Sequence, residues 1–242
     1  GSQLKAKLKK ITNEIGGPFV EVKIQGITNK MGMIRKIAYN YPKIFKGDYG
    51  QVRDAIIIEA TWLGYFEPYS KKVLNSYIYD MMIATGQKVL AEEYNLLPFE
   101  VLVLDSRRTL CEKIMSLVRF SHTEQPIADL NAKIRHVYDI HQLLKDETVR
   151  NFFNSNDFDT MLLKVAHDDV QSFKNNNDWL RYHPKEAMIF NSPEETWNQL
   201  KDTYQNQFKF LVYGELPKEE EILATIKKFS NRLSSVEWEV SF

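Results

Sequence analysis

The chain lacks several features that mark common classes of protein. Its 242 residues contain one cysteine, Cys111, so a disulfide within the chain is excluded and a reducing compartment is indicated. No apolar run reaches the roughly 18 residues that a membrane-spanning helix needs. The early lysines of residues 5–10 are not followed by an apolar segment, which argues against a signal peptide. These features together predict a cytoplasmic protein in which Cys111 is a small buried hydrophobe.

The chain also lacks an excess of charge of either sign. Its 32 lysines and arginines balance its 32 aspartates and glutamates, and the formal net charge is zero. A general positive field that would attract nucleic acid is therefore excluded, and any such contact has to come from a local patch.

Neither a metal-ligand signature nor a phosphate-binding glycine loop occurs. There is no HExxH or CxxC pattern, and His136 and His141 lie five residues apart, which puts them on different faces of a helix. The Gly16-Gly17 pair precedes a proline, which lacks the N–H that a phosphate nest uses. Asp157 and Asp159 are interpreted as acids at the start of a helix. We therefore assign no metal-binding residues.

The pattern of apolar residues predicts an α+β protein, with a sheet region over residues 1–104 and a helical region over residues 105–242. Residues 54–62 are expected to form a central strand and residues 99–104 a buried one. Glycines 16 and 17 should end a helix over residues 3–15, and residues 174–193 should form an irregular connection. Further strands are predicted over 19–25 and 33–41, and further helices over 76–93 (interrupted at Gly86), 109–119 (with Thr109 and Glu112 as a capping box), 130–144, 158–173, 197–211 and 222–233.

Candidate functional residues lie near the junction of the two regions. Glu59 stands on an apolar strand, where a carboxylate is costly unless it is paired or faces a cleft. Arg135 and Asp139 are four residues apart on one predicted helix, so a surface ion pair is the simplest interpretation of them. The simplest interpretation of Lys113 is a side chain that extends along the apolar face of its helix. From these residues alone the chain is a protein with a possible cleft between sheet and helices.

The order of residues in the central stretch adds a resemblance. A strand is followed by T-L-x-E-K-[LI]-x4-R and, about 20 residues later, by R-x3-D-[LI]. The residues that match are Thr109, Leu110, Glu112, Lys113, Ile114 and Arg119, then Arg135, Asp139 and Ile140. This order resembles the AbiEii/AbiGii-type nucleotidyltransferase toxins of abortive-infection and type IV toxin–antitoxin systems in bacteria.

The resemblance implies a fold and a set of roles. It implies part of a nucleotidyltransferase mixed sheet followed by a helical C-terminal region, with Mg²⁺ and a nucleoside triphosphate as cofactor and substrate of the full-length protein. Lys113, Arg119 and Arg135 would bind the nucleotide. Asp139 would be an active-site acid, either a general base or a residue that orients other groups, and Glu59 would be an additional acid on the sheet.

The sequence departs from this family at its beginning. Family members carry an early G-G-[ST] loop and a D-x-D strand, and neither occurs before residue 54. Either the chain begins after both motifs, as Gly1-Ser2 suggests because it resembles the remnant of a cleaved tag, or the protein is a degenerate relative. In the first case we expect the gene to encode both motifs within roughly 100 residues upstream. We expect the present chain to be inactive by itself and to hold no cofactor.

A second hypothesis is a helical module without catalytic activity that binds a protein partner or RNA. A large exposed apolar patch would favour it, built from Trp179, Tyr182, Trp197, Phe208 or Phe210. The first hypothesis implies an antitoxin as a possible partner and RNA or protein as the acceptor. The sequence leaves open the nucleotide, the acceptor and the oligomeric state.

Overall fold

A computed structural model describes most of the chain. It covers residues 20–22, 34–61, 67–173 and 176–241, together with scattered positions between 3 and 14. The helix predicted for residues 3–15 therefore lies largely outside the described residues.

The first sheet contains three antiparallel strands among the described residues: β1 (Val20–Val22), β2 (Ile34–Asn40) and β3 (Ala55–Thr61). The predicted pairing of the first two strands is confirmed, with Val20 opposite Asn40. The prediction that β3 is central is wrong for the described sheet, because β2 lies in the middle and β3 pairs only with β2 there. An apolar strand need not be central, since one covered face is enough to favour such a sequence.

The second sheet pairs β4 (Tyr69–Leu74) with β5 (Phe99–Leu104) in antiparallel orientation. Between these strands lie helices α1 (Tyr77–Ala84) and α2 (Lys88–Glu93), and the predicted interruption at Gly86 is confirmed by its φ of 73°. The prediction that β5 is buried is wrong: Leu102 remains 63% exposed. Periodicity cannot separate a buried strand from one whose apolar face stays uncovered.

The rest of the described chain is helical. Its α-helices are α3 (Ser106–Ser121), α4 (Pro126–Ala132), α5 (Ile134–Leu143), α6 (Glu147–Phe153), α7 (Asn156–Ser172), α8 (Met188–Asn191), α9 (Pro193–Asn206) and α10 (Glu219–Leu233). Short 3₁₀ turns cover Asp178–Arg181, Pro184–Glu186 and Phe208–Leu211. The segment predicted to be irregular thus contains helical turns, and its buried Leu180 anchors it to the core. The α+β class with a helical C-terminal region is confirmed, while the domain boundary at residue 104 stays a prediction.

Helix α3 begins three residues earlier than the sequence predicts. The Asp105 carboxylate accepts a hydrogen bond from the Arg107 backbone N–H (2.8 Å) and also pairs with the Arg107 side chain. Thr109 is therefore inside the helix, where its hydroxyl donates to the Asp105 carbonyl (3.0 Å). The predicted capping box of Thr109 and Glu112 is wrong because Asp105 already satisfies the first turn.

One apolar core lies between the helices of the C-terminal region. Phe153 packs edge-on against Phe158 and Phe229, with ring centroids 5.2 and 4.7 Å away. Cys111 is fully buried in this core and burial raises the pKa of its thiol, which confirms its interpretation as a small hydrophobe. None of the helices in the described part of the chain has the length and apolarity that crossing a bilayer would require.

Candidate active site

Helices α3 and α5 bring together the lysine and the aspartate that the sequence singled out. The Lys113 Nζ lies 2.7 Å from the Asp139 Oδ2, which is the distance of a charge-assisted hydrogen bond. The Lys113 side chain is 25% exposed and that of Asp139 is 33% exposed. Both groups are therefore held by the helices and remain accessible from solvent.

His136 is the third member of this cluster. Its Nδ1 lies 3.1 Å from the Lys113 Nζ and 3.7 Å from the Asp139 Oδ2. The shorter distance is a hydrogen bond and the longer one is not. Because an ammonium group can only donate, the Lys113 N–H donates to the imidazole nitrogen.

The environment of the cluster shifts two pKa values. Burial by itself would raise the pKa of Asp139, but the hydrogen bond and the charge of Lys113 outweigh it, so the pKa falls below its usual range. Burial lowers the pKa of His136; the Lys113 and Arg135 charges add to this effect, and Asp139 opposes it. At neutral pH the cluster therefore combines an ammonium, a carboxylate and an uncharged imidazole.

Lys113 and Asp139 line an open pocket of about 480 Å³. Ser106 in the first turn of α3 and Asp146 at the start of α6 also line it. The backbone N–H groups at the start of a long helix such as α3 give that end a partial positive charge. Because Asp105 already caps α3, the pocket offers an anionic ligand the Lys113 cation and no free helix N-terminus from α3.

Arg135 does not form the ion pair that the sequence suggested. Among the ion pairs of the described residues, Asp139 is joined to Lys113 on the neighbouring helix and not to Arg135. The buried position of the Lys113 stem explains the preference, because a partly desolvated pair is stronger than an exposed one. Arg135 is exposed one turn before Asp139 on the same face of α5.

Arg119 lies away from the Lys113 pocket. Six positions along α3 place the two side chains on different faces of the helix. The guanidinium of Arg119 lies over the ring of Phe173, 4.3 Å from its centroid, and Arg119 lines a separate pocket with His122 and Tyr182. The structure therefore does not bring together Arg119 and Lys113.

Glu59 occupies an exposed position on β3, with its backbone opposite Lys36 of β2. It is not among the described residues that line the pocket of Lys113 and Asp139. If the three residues form one site, as the resemblance implies, they should converge on one concave surface. Lys113 and Asp139 lie together at this pocket, while the role of Glu59 stays a prediction.

Sequence reasoning missed a buried ion network beside the site. Arg108 is 1% exposed, and its guanidinium lies 2.9 Å from Glu112 and 2.7 Å from Asp168 of α7. An arginine in an amphipathic helix is usually assigned to the surface, and only the partner helix reveals that it is buried. On the sequence alone, His136 is weighed only as a metal ligand. Its position three residues before Asp139 on one helix also indicates that the two side chains lie on the same face.

Within the ranges that the structure describes, no group of three or more histidine, cysteine, aspartate or glutamate side chains is arranged to hold a metal ion. Histidines instead make local contacts, such as that of His141 with Thr225.

Comparison with known proteins gives one family. The family model for the nucleotidyl transferase AbiEii toxin of type IV toxin–antitoxin systems matches residues 1–231. Searches of curated proteins and of solved structures found no match. Since the family model covers nearly the whole sequence, including both sheets and the Lys113 pocket, the chain belongs to the AbiEii nucleotidyl transferase toxin family.

Proposed function

We propose that this chain forms the nucleotide-phosphate side of a nucleotidyltransferase that transfers a nucleotide from a nucleoside triphosphate to RNA or protein. The observation that carries the proposal is the 2.7 Å contact between the Lys113 Nζ and the Asp139 Oδ2 at an open pocket. Nucleotidyl transfer depends mainly on positioning and on cations that stabilise the developing charge of the phosphates.

Lys113 is the residue that we assign to the phosphates. Its ammonium has three N–H groups; one points to Asp139 and one to His136, which leaves one for a ligand oxygen. This third N–H at the open pocket supports a phosphate site.

Asp139 is assigned as the residue that orients Lys113. A general base works best when its pKa lies near the working pH, whereas the pKa of Asp139 is lowered below its usual range. The carboxylate therefore stays ionised and fixes the direction of the ammonium. Of the two roles that the resemblance left open, this one agrees better with the surroundings of Asp139.

The other three candidate residues receive different assignments. Arg135 is exposed beside Asp139 and is assigned as a second cation for the bound nucleotide. Arg119 faces another pocket, so a contact with the same phosphates is not part of the proposal. Glu59 is retained as a sheet acid that acts together with groups outside the described residues. No step is assigned to Mg²⁺.

Labelled nucleotide transfer to total RNA and to protein tests the proposal. In a protein that transfers a nucleotide, Lys113→Ala should reduce transfer by about 100-fold or more because a preorganised cation is lost. Lys164→Ala is the matched control: it removes an exposed lysine of α7 that does not line the pocket, and it should leave transfer unchanged.

Two results would change this view. Equal transfer by wild type and Lys113→Ala would refute the assignment of Lys113. Turnover by the 242-residue chain alone would refute the expectation that it is inactive by itself, and the assignment of Lys113 would still be decided by the variants.

Most of the apolar residues that were expected to form an exposed patch in the interaction-module hypothesis are not exposed. Trp179, Trp197 and Phe208 are buried, so only Tyr182 and Phe210 of the named residues are exposed. Exposed apolar side chains occur instead on the second sheet and its helices. An antitoxin is the partner that the family implies, and we propose a cytoplasmic location and an RNA acceptor on the same basis.

A further inference from the structure

The structure assigns His136 as a positioning residue that holds Lys113 in the direction of the nucleotide phosphates by accepting one of its hydrogen bonds. The inference rests on the proposed role of Lys113. It goes further because the R-x3-D motif leaves the residue at position 136 unspecified and because it fixes the protonation state and the tautomer of the ring.

The distances decide which way the hydrogen bond runs. The His136 Nδ1 is 3.1 Å from the Lys113 Nζ, and the ammonium has no lone pair to offer. The Nδ1 must therefore carry the lone pair, and the single ring proton must be on Nε2. The opposite tautomer would direct an N–H at the ammonium while its other possible partner, the Asp139 Oδ2, is 3.7 Å away.

The arrangement makes His136 and Asp139 complementary. Both accept hydrogen bonds from one ammonium, the first as an uncharged group and the second as a carboxylate. Two fixed acceptors restrict a flexible four-carbon side chain to one orientation, so its third N–H has a defined direction. A single acceptor would let the ammonium rotate about one contact.

A protonated His136 would dismantle this arrangement. Its Nδ1–H would face the Lys113 cation and would compete with it for Asp139. The charged groups that act on the ring are Lys113 from α3 and Arg135 and Asp139 from α5, and burial disfavours the charged imidazole. Loss of phosphate binding on acidification is therefore expected to follow the titration of His136.

Two substitutions distinguish the effect of the hydrogen-bond acceptor of His136 from that of its titratable imidazole ring. The amide oxygen of Asn occupies nearly the place of the Nδ1, so His136→Asn keeps an acceptor that cannot titrate. His136→Leu has a similar size and no acceptor. The ligand is inorganic tripolyphosphate, which reports on phosphate contacts without a base, and its dissociation constant is measured by calorimetry with the 242-residue chain.

We expect His136→Leu to weaken tripolyphosphate binding by about 10- to 100-fold, and His136→Asn to stay within about threefold of wild type. As the pH is lowered through the range in which the His136 ring becomes protonated, followed by its ring resonance, the wild type should lose affinity relative to His136→Asn. The ratio of the two constants cancels the protonation of tripolyphosphate itself. Wild-type affinity in His136→Leu, or a ratio that stays constant while the ring becomes protonated, would overturn the inference.

Failure of the proposed function gives a different pattern. If Lys113→Ala binds tripolyphosphate as tightly as wild type, the assignment of Lys113 fails. If Lys113→Ala binds weakly and His136→Leu binds normally, only the inference about His136 fails.

Nuclear magnetic resonance of the wild-type chain tests the tautomer without any ligand. The sequence has 5 histidines, so substitution of the other four in turn assigns the His136 ring resonances by elimination. At pH 7.5 the His136 ring should be uncharged with its proton on Nε2. A charged ring, or a proton on Nδ1, would overturn the inference even if His136→Leu failed to fold.

Discussion

The sheet half (residues 34–104) and the helical half (residues 105–241) differ in how they use apolar side chains. The helical half encloses its large residues in one core, where Phe153 and Phe229 are almost completely buried. The sheet half leaves many of them on its surface. The most exposed are Ile44, Phe45, Tyr69, Val73, Tyr77, Ile78, Met81, Val89, Tyr94, Phe99 and Leu102.

This difference identifies the half that gives the candidate site its rigidity. Lys113, His136 and Asp139 all stand on helices of the enclosed core, so their mutual distances are fixed by packing. Glu59 stands on the other half, where fewer side chains are packed. The position of Glu59 relative to the pocket therefore depends on how the halves are joined.

Two backbone contacts join the halves in the described residues. The Asp105 N–H donates to the Pro68 carbonyl (2.9 Å), and the Gln51 N–H donates to the Gln207 carbonyl (3.3 Å). The second contact places the loop between β2 and β3 on the helical half. This loop leads directly into β3, which carries Glu59.

The largest predicted effect compares the same substitution in the two halves. Phe153→Ala should lower the free energy of unfolding by about 3–5 kcal/mol, because it leaves a cavity in a closed core. Phe99→Ala should lower it by about 0.5 kcal/mol or less, because the Phe99 side chain is 59% exposed. Urea unfolding followed by circular dichroism measures both values.

Similar losses of unfolding free energy in Phe153→Ala and Phe99→Ala would contradict the difference in packing between the two halves. They would mean that Phe99 is covered in solution by a surface that the described residues do not provide. The slope of free energy against urea is the control, since an unchanged slope shows that the same structure unfolds in each variant.

The next effect concerns the contact between the two halves at Gln51 and Gln207. Gly50 has a φ of 57° and its Cα faces the Gln207 backbone so closely that an added Cβ would overlap with it. Gly50→Ala should therefore cost about 2 kcal/mol: roughly half comes from the left-handed backbone and the rest from displacement of the loop. Hydrogen exchange should show faster exchange at Gln51.

Gly86→Ala is the matched control. Gly86 has a φ of 73° and no atom within 4 Å of an added Cβ, so this variant carries the backbone strain alone, about 1 kcal/mol. Equal losses in both variants, with unchanged exchange at Gln51, would show that the loop does not hold the halves together.

Local sequence patterns predicted much of the fold. The pairing of β1 with β2 and the interruption at Gly86 depend on neighbouring residues, and both are confirmed. Strand β4 and helix α6 were not predicted. The predictions that β5 is buried and that β3 is central were wrong, because both properties depend on which other parts of the chain pack against these strands. The early start of α3 was missed because Asp105 outcompetes Thr109 for the first turn.

The candidate site was predictable to a similar extent. The meeting of Lys113 and Asp139 followed from residue order through a resemblance, and the two side chains do lie in contact. His136 and Arg108 were not predicted as partners in the site because their roles depend on contacts between helices, which no spacing within one helix reveals.

The smallest effect concerns the polar groups inside the helical half. Asp169 on α7 is largely buried, and burial raises its pKa to about 7 although the Arg119 cation opposes the change. The usual value, 3.8, applies to the unfolded chain. Between these two pH values the folded chain binds more protons than the unfolded chain, so its stability should fall as the pH rises from 4 to 7.

Asp169→Asn should remove this dependence, since the amide resembles the protonated acid and cannot ionise. The variant's gain in stability over wild type should be smaller at pH 5 than at pH 8, where it should be on the order of 1 kcal/mol, with a limit of about 4 kcal/mol set by roughly 1.4 kcal/mol for each pKa unit. Thermal unfolding at both pH values measures the difference. Glu100→Gln in the sheet half is the control, because its carboxylate forms an exposed pair with Lys71 and should change stability by less than about 0.5 kcal/mol at either pH. A gain at pH 8 that equals the change at pH 5 would show that Asp169 titrates as it does in water, and the interior of the helical half would then be no more shielded from solvent than the sheet.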